Sequence, residues 1–213
     1  MNILTDALPE VVEIDGEAWP INTDFSVGVR FELLMQDRAL TDEERLGRAL
    51  SLYYPELPPD LPTALDGLLW FYSCARARDE ATAAEAPGHH RGAPGKSIRK
   101  AYCFQQDADL IFAAFWEAYG IDLNAVEGLH WWKFRALFKA LPSECEFCKV
   151  MGYRTADTKG MTRKQKELSG RMKKLYALKN EVDVAAAMTL AERNKQMKDY
   201  VNRRFTEVEA GKN

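Results

Sequence analysis

Apolar positions recur at helical spacing along most of the chain and at strand spacing in one short segment. Near the start, Val11, Val12 and Ile14 precede an Asp15-Gly16 pair, and Ala18, Trp19 and Ile21 follow it. A type I′ turn needs positive φ at both central residues and favours Asp-Gly, so a small hairpin is predicted. Asp24 is placed to cap a helix over Phe25–Gln36, with Val27, Phe31 and Leu34 on one face and Gly28 as a tolerated weakness. Thr41 and Glu44 form a capping box, and the helix they open should stop before Pro55. The stretch PELPPDLPT reads as a stiff connector. After it, residues 64–77, with Leu65, Leu68, Leu69, Phe71 and Tyr72, read as a mostly buried helix.

Between Asp79 and Lys100 the chain offers almost nothing to bury, which predicts a mobile linker. Order is expected again from Tyr102. In FQQDADLIFAAFWEAYGI, Phe104, Leu110, Ile111, Phe112, Ala114, Phe115, Ala118 and Tyr119 cover most of a helix circumference, and Gly120 supplies a left-handed stop. In LHWWKFRALFKALP, Trp131, Phe134, Leu137, Phe138 and Leu141 fall within an arc of about 120°, the stripe of a helix docked on a core. Trp132 lies off that stripe, on the side of Arg135 and Lys139. Trp116 is likewise off its stripe, among Gln105, Asp109 and Glu117. Each of these two indoles should meet either another helix of the same chain or a partner. Further on, Thr189 and Glu192 form a capping box for a charged helix whose thin stripe is Leu190, Met197, Val201 and Val208. So thin a stripe waits for a partner.

The pattern predicts a mainly α fold: a compact helical domain with a short N-terminal β-hairpin and a charged C-terminal helical extension. Its parts are residues 1–78, hairpin and N-terminal helices; 79–101, a linker within the same domain; 102–156, a central helical core; and 157–213, the charged C-terminal region. With 46% hydrophobic and 29% charged residues in 213, a real core is expected. A net charge of −3 gives no general bias toward nucleic acid or anionic membranes. No apolar run nears the roughly 18 residues of a membrane span, and the N-terminus lacks the pattern of a signal peptide. The expectation is a cytoplasmic protein with reduced cysteines.

Candidate chemistry is thin. GAPGKS, residues 92–97, has His90 where a phosphate-binding loop needs glycine, and no buried strand feeds it. Cys145 and Cys148 have the spacing of half a zinc site, but Cys74, Cys103, His89, His90 and His130 complete it only by tertiary coincidence. Inert, half-buried thiols are the better reading. Asp107 and Asp109 are explained more simply as helix-start carboxylates than as a catalytic pair with Glu117, and His130 has the same simple role. No nucleophile, base and orienting acid share a motif, so no catalytic residue, metal or cofactor is assigned. Residues 159–179 hold eight Lys or Arg against one Glu. With no interleaved aromatic apart from Tyr176 and no recognisable reading motif, a solvated charged helix is preferred over nucleic-acid binding.

In the order DADLI, YGIDL, HWWKF and then Tyr153-Arg154, with TDFSVGVRFELL upstream and MTLAERNKQMKDYVNRRF downstream, the chain resembles a family of bacteriophage proteins catalogued as gene product fifteen. The resemblance covers most of the chain. It implies a non-enzymatic tail assembly chaperone of long-tailed phages and prophages, made in the host cytoplasm and absent from the mature virion. The implied partners are the phage tape-measure protein and the tail-tube protein. Residues assigned to partner binding are Trp116, Trp132, Arg135, Lys139, Leu190, Met197 and Val201. Self-association and sensing by a host defence protein are further candidate contacts. The competing readings are a nucleic-acid-binding phage accessory protein using residues 159–179 and a structural tail component.

Overall fold

The computed structural model describes residues 2–37, 39–75, 101–179 and 198–199. The expected linker over residues 79–100 and the stripe of Leu190, Met197, Val201 and Val208 lie outside the described residues. Along the chain the elements are β1 (Val11–Ile14), β2 (Glu17–Pro20), α1 (Phe25–Gln36), α2 (Asp42–Tyr53), α3 (Leu61–Tyr72), α4 (Ala108–Tyr119), α5 (Trp131–Lys139), α6 (Glu146–Thr155) and α7 (Arg163–Leu175). The fold is mainly α with one short antiparallel hairpin, as the sequence pattern predicts. The described residues group into two compact units, those up to residue 75 with 128–135 and 198–199 in one, and 101–127 with 136–179 in the other. Residues 131–135 of α5 group with the first unit and 136–139 with the second.

In the first unit, Val12 pairs with Trp19 and Ile14 with Glu17 around a turn in which Asp15 has φ +52° and Gly16 φ +81°. Both values are positive, as a type I′ turn requires. Val12 and Ile14 are buried, and β1 packs on α3. Gly67 of α3 permits the approach, since a Cβ there would lie 3.2 Å from the Val12 side chain. Asp24 caps α1 by accepting the Ser26 N–H at 2.9 Å, and Thr41 with Glu44 forms the anticipated capping box of α2. Helix α3 starts earlier than expected, at Leu61, because Pro62 in the first turn sacrifices no helical hydrogen bond. It also ends earlier, at Tyr72, where the chain turns through left-handed Cys74 and Ala75 with φ +60° and +56°.

The core of this unit is aromatic: Phe31, Tyr53, Phe71, Tyr72 and Trp131 are all fully buried. Trp131 stacks on Tyr72 at 5.4 Å between centroids and donates its indole N–H to the Tyr72 carbonyl at 2.9 Å. Gly28 is not the weak point its helix position implies. A Cβ there would sit 2.3 Å from the Trp131 ring, so the glycine is what lets the indole lie against α1. The same face buries Glu32, whose carboxylate accepts the Tyr72 hydroxyl. On α3, Asp66 forms an ion pair with Lys198.

The second unit is built around Tyr102, Phe104, Phe115, Phe138 and Phe147, with Phe138 in ring contact with the other four at 5.1 to 6.5 Å. Helix α4 begins at Ala108 and stops at Gly120, whose φ of +64° supplies the predicted left-handed end. Helix α6 lies within the expected central helical core, residues 102–156, where the sequence reading places no separate helix after Pro142. It delivers Arg154 to a buried position. There the guanidinium donates two bonds of 2.7 Å to the Asp107 carboxylate, one of 3.0 Å to the Ala101 carbonyl and one of 2.6 Å to the Tyr176 carbonyl. Asp107 also accepts the Cys103 N–H at 2.8 Å and makes no side-chain cap to α4. The helix-start explanation of Asp107 is therefore corrected: its partner is an arginine 47 positions away.

Candidate partner-binding face

Helix α4 buries Ile111, Ala114 and Phe115 and packs on α6 through that side. Its other side carries Asp109, Ala113, Trp116 and Glu117, all exposed, with Phe112 half-buried beside them. Trp116 is 55% exposed, and its ring stacks on Phe112 at 6.3 Å with 19° between planes. Phe112, assigned by spacing to the core stripe, thus stands at the edge of an open aromatic pair. Asp109 lies two turns before Trp116 and Glu117 directly after it, so the rim of the pair is acidic. An aromatic centre with a charged edge is the composition of a binding patch for a complementary apolar segment.

The companion residues fare differently. Trp132 is only 6% exposed and donates its indole N–H to the Phe71 carbonyl at 2.7 Å, with Trp70 edge-on at 5.7 Å. Of the two expectations for this indole, the neighbour within the chain is the one observed, and its assignment to a partner surface is corrected. Arg135 is corrected for the same reason: it is buried, with its guanidinium 5.4 Å from the Trp131 ring centroid. Phe71 and Trp70 of α3 cover Trp132, and Arg135 is buried beside Trp131 of its own helix, so charge on the helix wheel does not mean exposure there. Lys139 is half-buried. Leu190, Met197 and Val201 lie outside the described residues. Trp116 therefore is the assigned residue that the described structure leaves open to a partner.

His130 stands at the start of α5 as a structural group. Its Nδ1 accepts the Trp132 backbone N–H at 3.0 Å, which places the ring proton on Nε2, 3.1 Å from the Pro9 carbonyl oxygen. Burial lowers its pKa below the ordinary histidine range, the Pro9 bond opposing that shift. Cys145 precedes α6 and Cys148 sits in its first turn. Burial, and then the adjacent Cys145, push the Cys148 thiol up to about 12, which keeps it protonated and a poor nucleophile or metal ligand. Among the described residues no group of three or more His, Cys, Asp or Glu is arranged to hold a metal ion.

An open groove of about 610 Å³ between α1 and α2 is lined by Arg30, Leu34, Glu44, Gly47, Arg48, Ser51 and Leu52. Its one acid is committed to the α2 cap, where Glu44 accepts the Thr41 N–H at 2.9 Å and hydroxyl at 3.0 Å. These bonds hold the carboxylate below its usual range, so it is no general acid at neutral pH.

Sequence reasoning passed over a second open patch. On α7, Leu168 and Leu175 are 61% and 71% exposed, and no residue of that helix is fully buried. The signal was their seven-residue spacing within the basic run, masked by the charges around them. Among the described residues no helix is long and apolar enough to cross a membrane. The family model described as Bacteriophage Gp15 protein matches residues 4–178, most of the chain, and the chain belongs to that family. No curated protein and no solved structure matches it.

Proposed function

We propose that this member of the Bacteriophage Gp15 protein family is a non-enzymatic tail assembly chaperone that binds the tape-measure protein and helps recruit tail-tube subunits. The observation that carries the reading is the stacked Phe112–Trp116 pair, open on α4 and ringed by Asp109 and Glu117. A long helical client with an apolar stripe would aggregate without a partner that covers the stripe, and an aromatic centre inside an acidic rim offers such cover. The resemblance to phage tail-module proteins points to the same client. The arrangement of His130, Cys148 and Glu44, each committed to a structural bond or held protonated, supports a binding role over a chemical one. In this reading the protein acts in the host cytoplasm and leaves before the virion is complete.

The test is co-expression with the tape-measure protein encoded by the same phage. Wild-type chain should keep that protein soluble and co-purify with it, whereas Trp116→Ala should lose most of the capture while remaining folded. Phosphate binding through residues 159–179 would instead show as retention on nucleic acid that falls steeply with salt. Finding the protein in purified virions in stoichiometric amount would favour a structural tail component.

A further inference from the structure

The second unit carries two open helical faces of opposite character. On α4, Asp109, Phe112 and Trp116 recur at i, i+3 and i+7, within an arc of about 60° at 100° per residue. On α7, Lys164, Leu168, Arg171 and Leu175 recur at i, i+4, i+7 and i+11, again within about 60°. The first face is aromatic with an acidic rim, the second aliphatic with a basic rim. At about 1.5 Å per residue they extend roughly 10 and 16 Å, so one helix can lie along the other. Across the α7 face Arg171 pairs with Glu167 at 3.9 Å, with both side chains more than half exposed, and such a surface pair offers little resistance to exchange.

We infer that the α4 face of one molecule is occupied by the α7 face of a second copy, Leu168 and Leu175 covering Phe112 and Trp116 while Lys164 and Arg171 meet Asp109 and Glu117. The complementarity of charge selects this occupant: a second copy brings the basic, leucine-bearing helix that the acidic, aromatic face calls for. One such helix pair buries less than the roughly 800 Å² per partner of a standard interface, so the association is weak and reversible. Resting on the proposed function, the contact also has a role. Self-association covers the client-binding face until the tape-measure protein displaces α7, which keeps Trp116 out of water in the free chaperone.

Sedimentation velocity of the full chain over a range of concentrations tests the contact without any client. Wild type should associate as concentration rises, more weakly in 0.5 M than in 0.05 M salt because the rims are screened. Trp116→Ala, or Leu168→Glu with Leu175→Glu, should raise the dissociation constant by about tenfold or more with unchanged circular dichroism. The decisive arm is a charge exchange. One chain carries Asp109→Lys and Glu117→Lys, the other Lys164→Glu and Arg171→Glu. Each alone should be monomeric, because its α4 and α7 then carry like charge, and an equimolar mixture should associate, because across the two chains every α4 again meets an α7 of opposite charge. A wild-type monomer at all concentrations, or association undiminished in the leucine double variant, or failure of the mixture to pair, would each overturn the contact. Self-association by this route in a protein that never captures the tape-measure protein would keep the contact and sink the chaperone reading. Capture by a strictly monomeric chain would do the reverse.

Discussion

The first turn of α5 and the last turn of α4 each carry an indole beside charged residues, Trp132 near Arg135 and Trp116 between Asp109 and Glu117. Around Trp132 the chain supplies everything the ring needs: Phe71 offers a carbonyl to the N–H and an apolar ring 5.9 Å away, and Trp70 closes the edge. Around Trp116 the chain supplies one stacking ring, Phe112, and leaves 55% of the indole open. A charged flank therefore does not decide whether an aromatic is wet. What decides is whether a segment distant in sequence brings both apolar surface and an acceptor, as α3 does for Trp132 from 61 positions away.

The largest effects are expected at the covered indoles. Trp131→Ala and Trp132→Ala should each cost about 3–5 kcal/mol, the range for emptying a buried tryptophan site, read as a shift in the urea midpoint. A cost below about 1 kcal/mol for Trp132→Ala would put that ring back on the surface beside Trp116. Arg154→Ala should be as severe, also about 3–5 kcal/mol, since it strands the Asp107 carboxylate in a buried site. Loss of α4 ellipticity in that variant would show that the buried pair also positions the open face. Gly28→Ala should cost about 1–3 kcal/mol, because the added methyl collides with the Trp131 ring and something must move.

The cover of Trp132 is also sensitive to pH through His130. The buried, neutral ring has a pKa lowered below its unfolded value near 6.5, so the unfolded chain takes up the proton first. Its contribution is fully present above the unfolded pKa and is lost as pH falls from there toward the folded pKa. Protonation would also turn Nδ1 from acceptor to donor and break the bond to the Trp132 N–H. His130→Ala should cost about 1 kcal/mol at pH 8, as loss of a helix-start acceptor does, and should flatten the decline in stability as pH falls below about 6.5. A decline as steep as in wild type would assign the acid sensitivity to another group.

Much of the fold could be read from local chemistry. The Asp15-Gly16 turn, the Asp24 cap, the Thr41 capping box and the Gly120 stop each depend on residues within a few positions, and all four form where expected. What stayed hidden depends on long-range partners. The bond from Arg154 to Asp107, the cover of Trp132 by α3 and the contact of Gly28 with Trp131 join residues tens of positions apart, and a helical wheel contains no information about them. Helix α6 was missed although Phe147, Val150 and Met151 recur at helical spacing, since so short a stripe ends on Arg154, whose burial depends on the distant Asp107. Of the candidate face, Trp116 was legible because it stood among charges. Phe112 was read as core, and Leu168 and Leu175 went unmarked within the basic run.

The smallest effect is expected at the open indole itself. In the isolated chain Trp116→Ala loses a partly exposed stack on Phe112, worth about 0.5–1.5 kcal/mol. It gains about 0.5 kcal/mol of helix propensity, because alanine gives up no side-chain freedom within a helix. Most of the apolar surface removed was already in water, so little burial is forfeited. The net change in unfolding free energy should lie within about 1 kcal/mol, well below that of Trp132→Ala in the same urea titration. The two variants should also differ optically: at concentrations low enough to keep the chain monomeric, loss of Trp116 removes red-shifted emission and loss of Trp132 removes blue-shifted emission. A cost of 2 kcal/mol or more for Trp116→Ala, with loss of blue-shifted emission, would mean that the ring is covered within the chain in solution. The α4 face would then be an extension of the core, and any client would have to be met elsewhere.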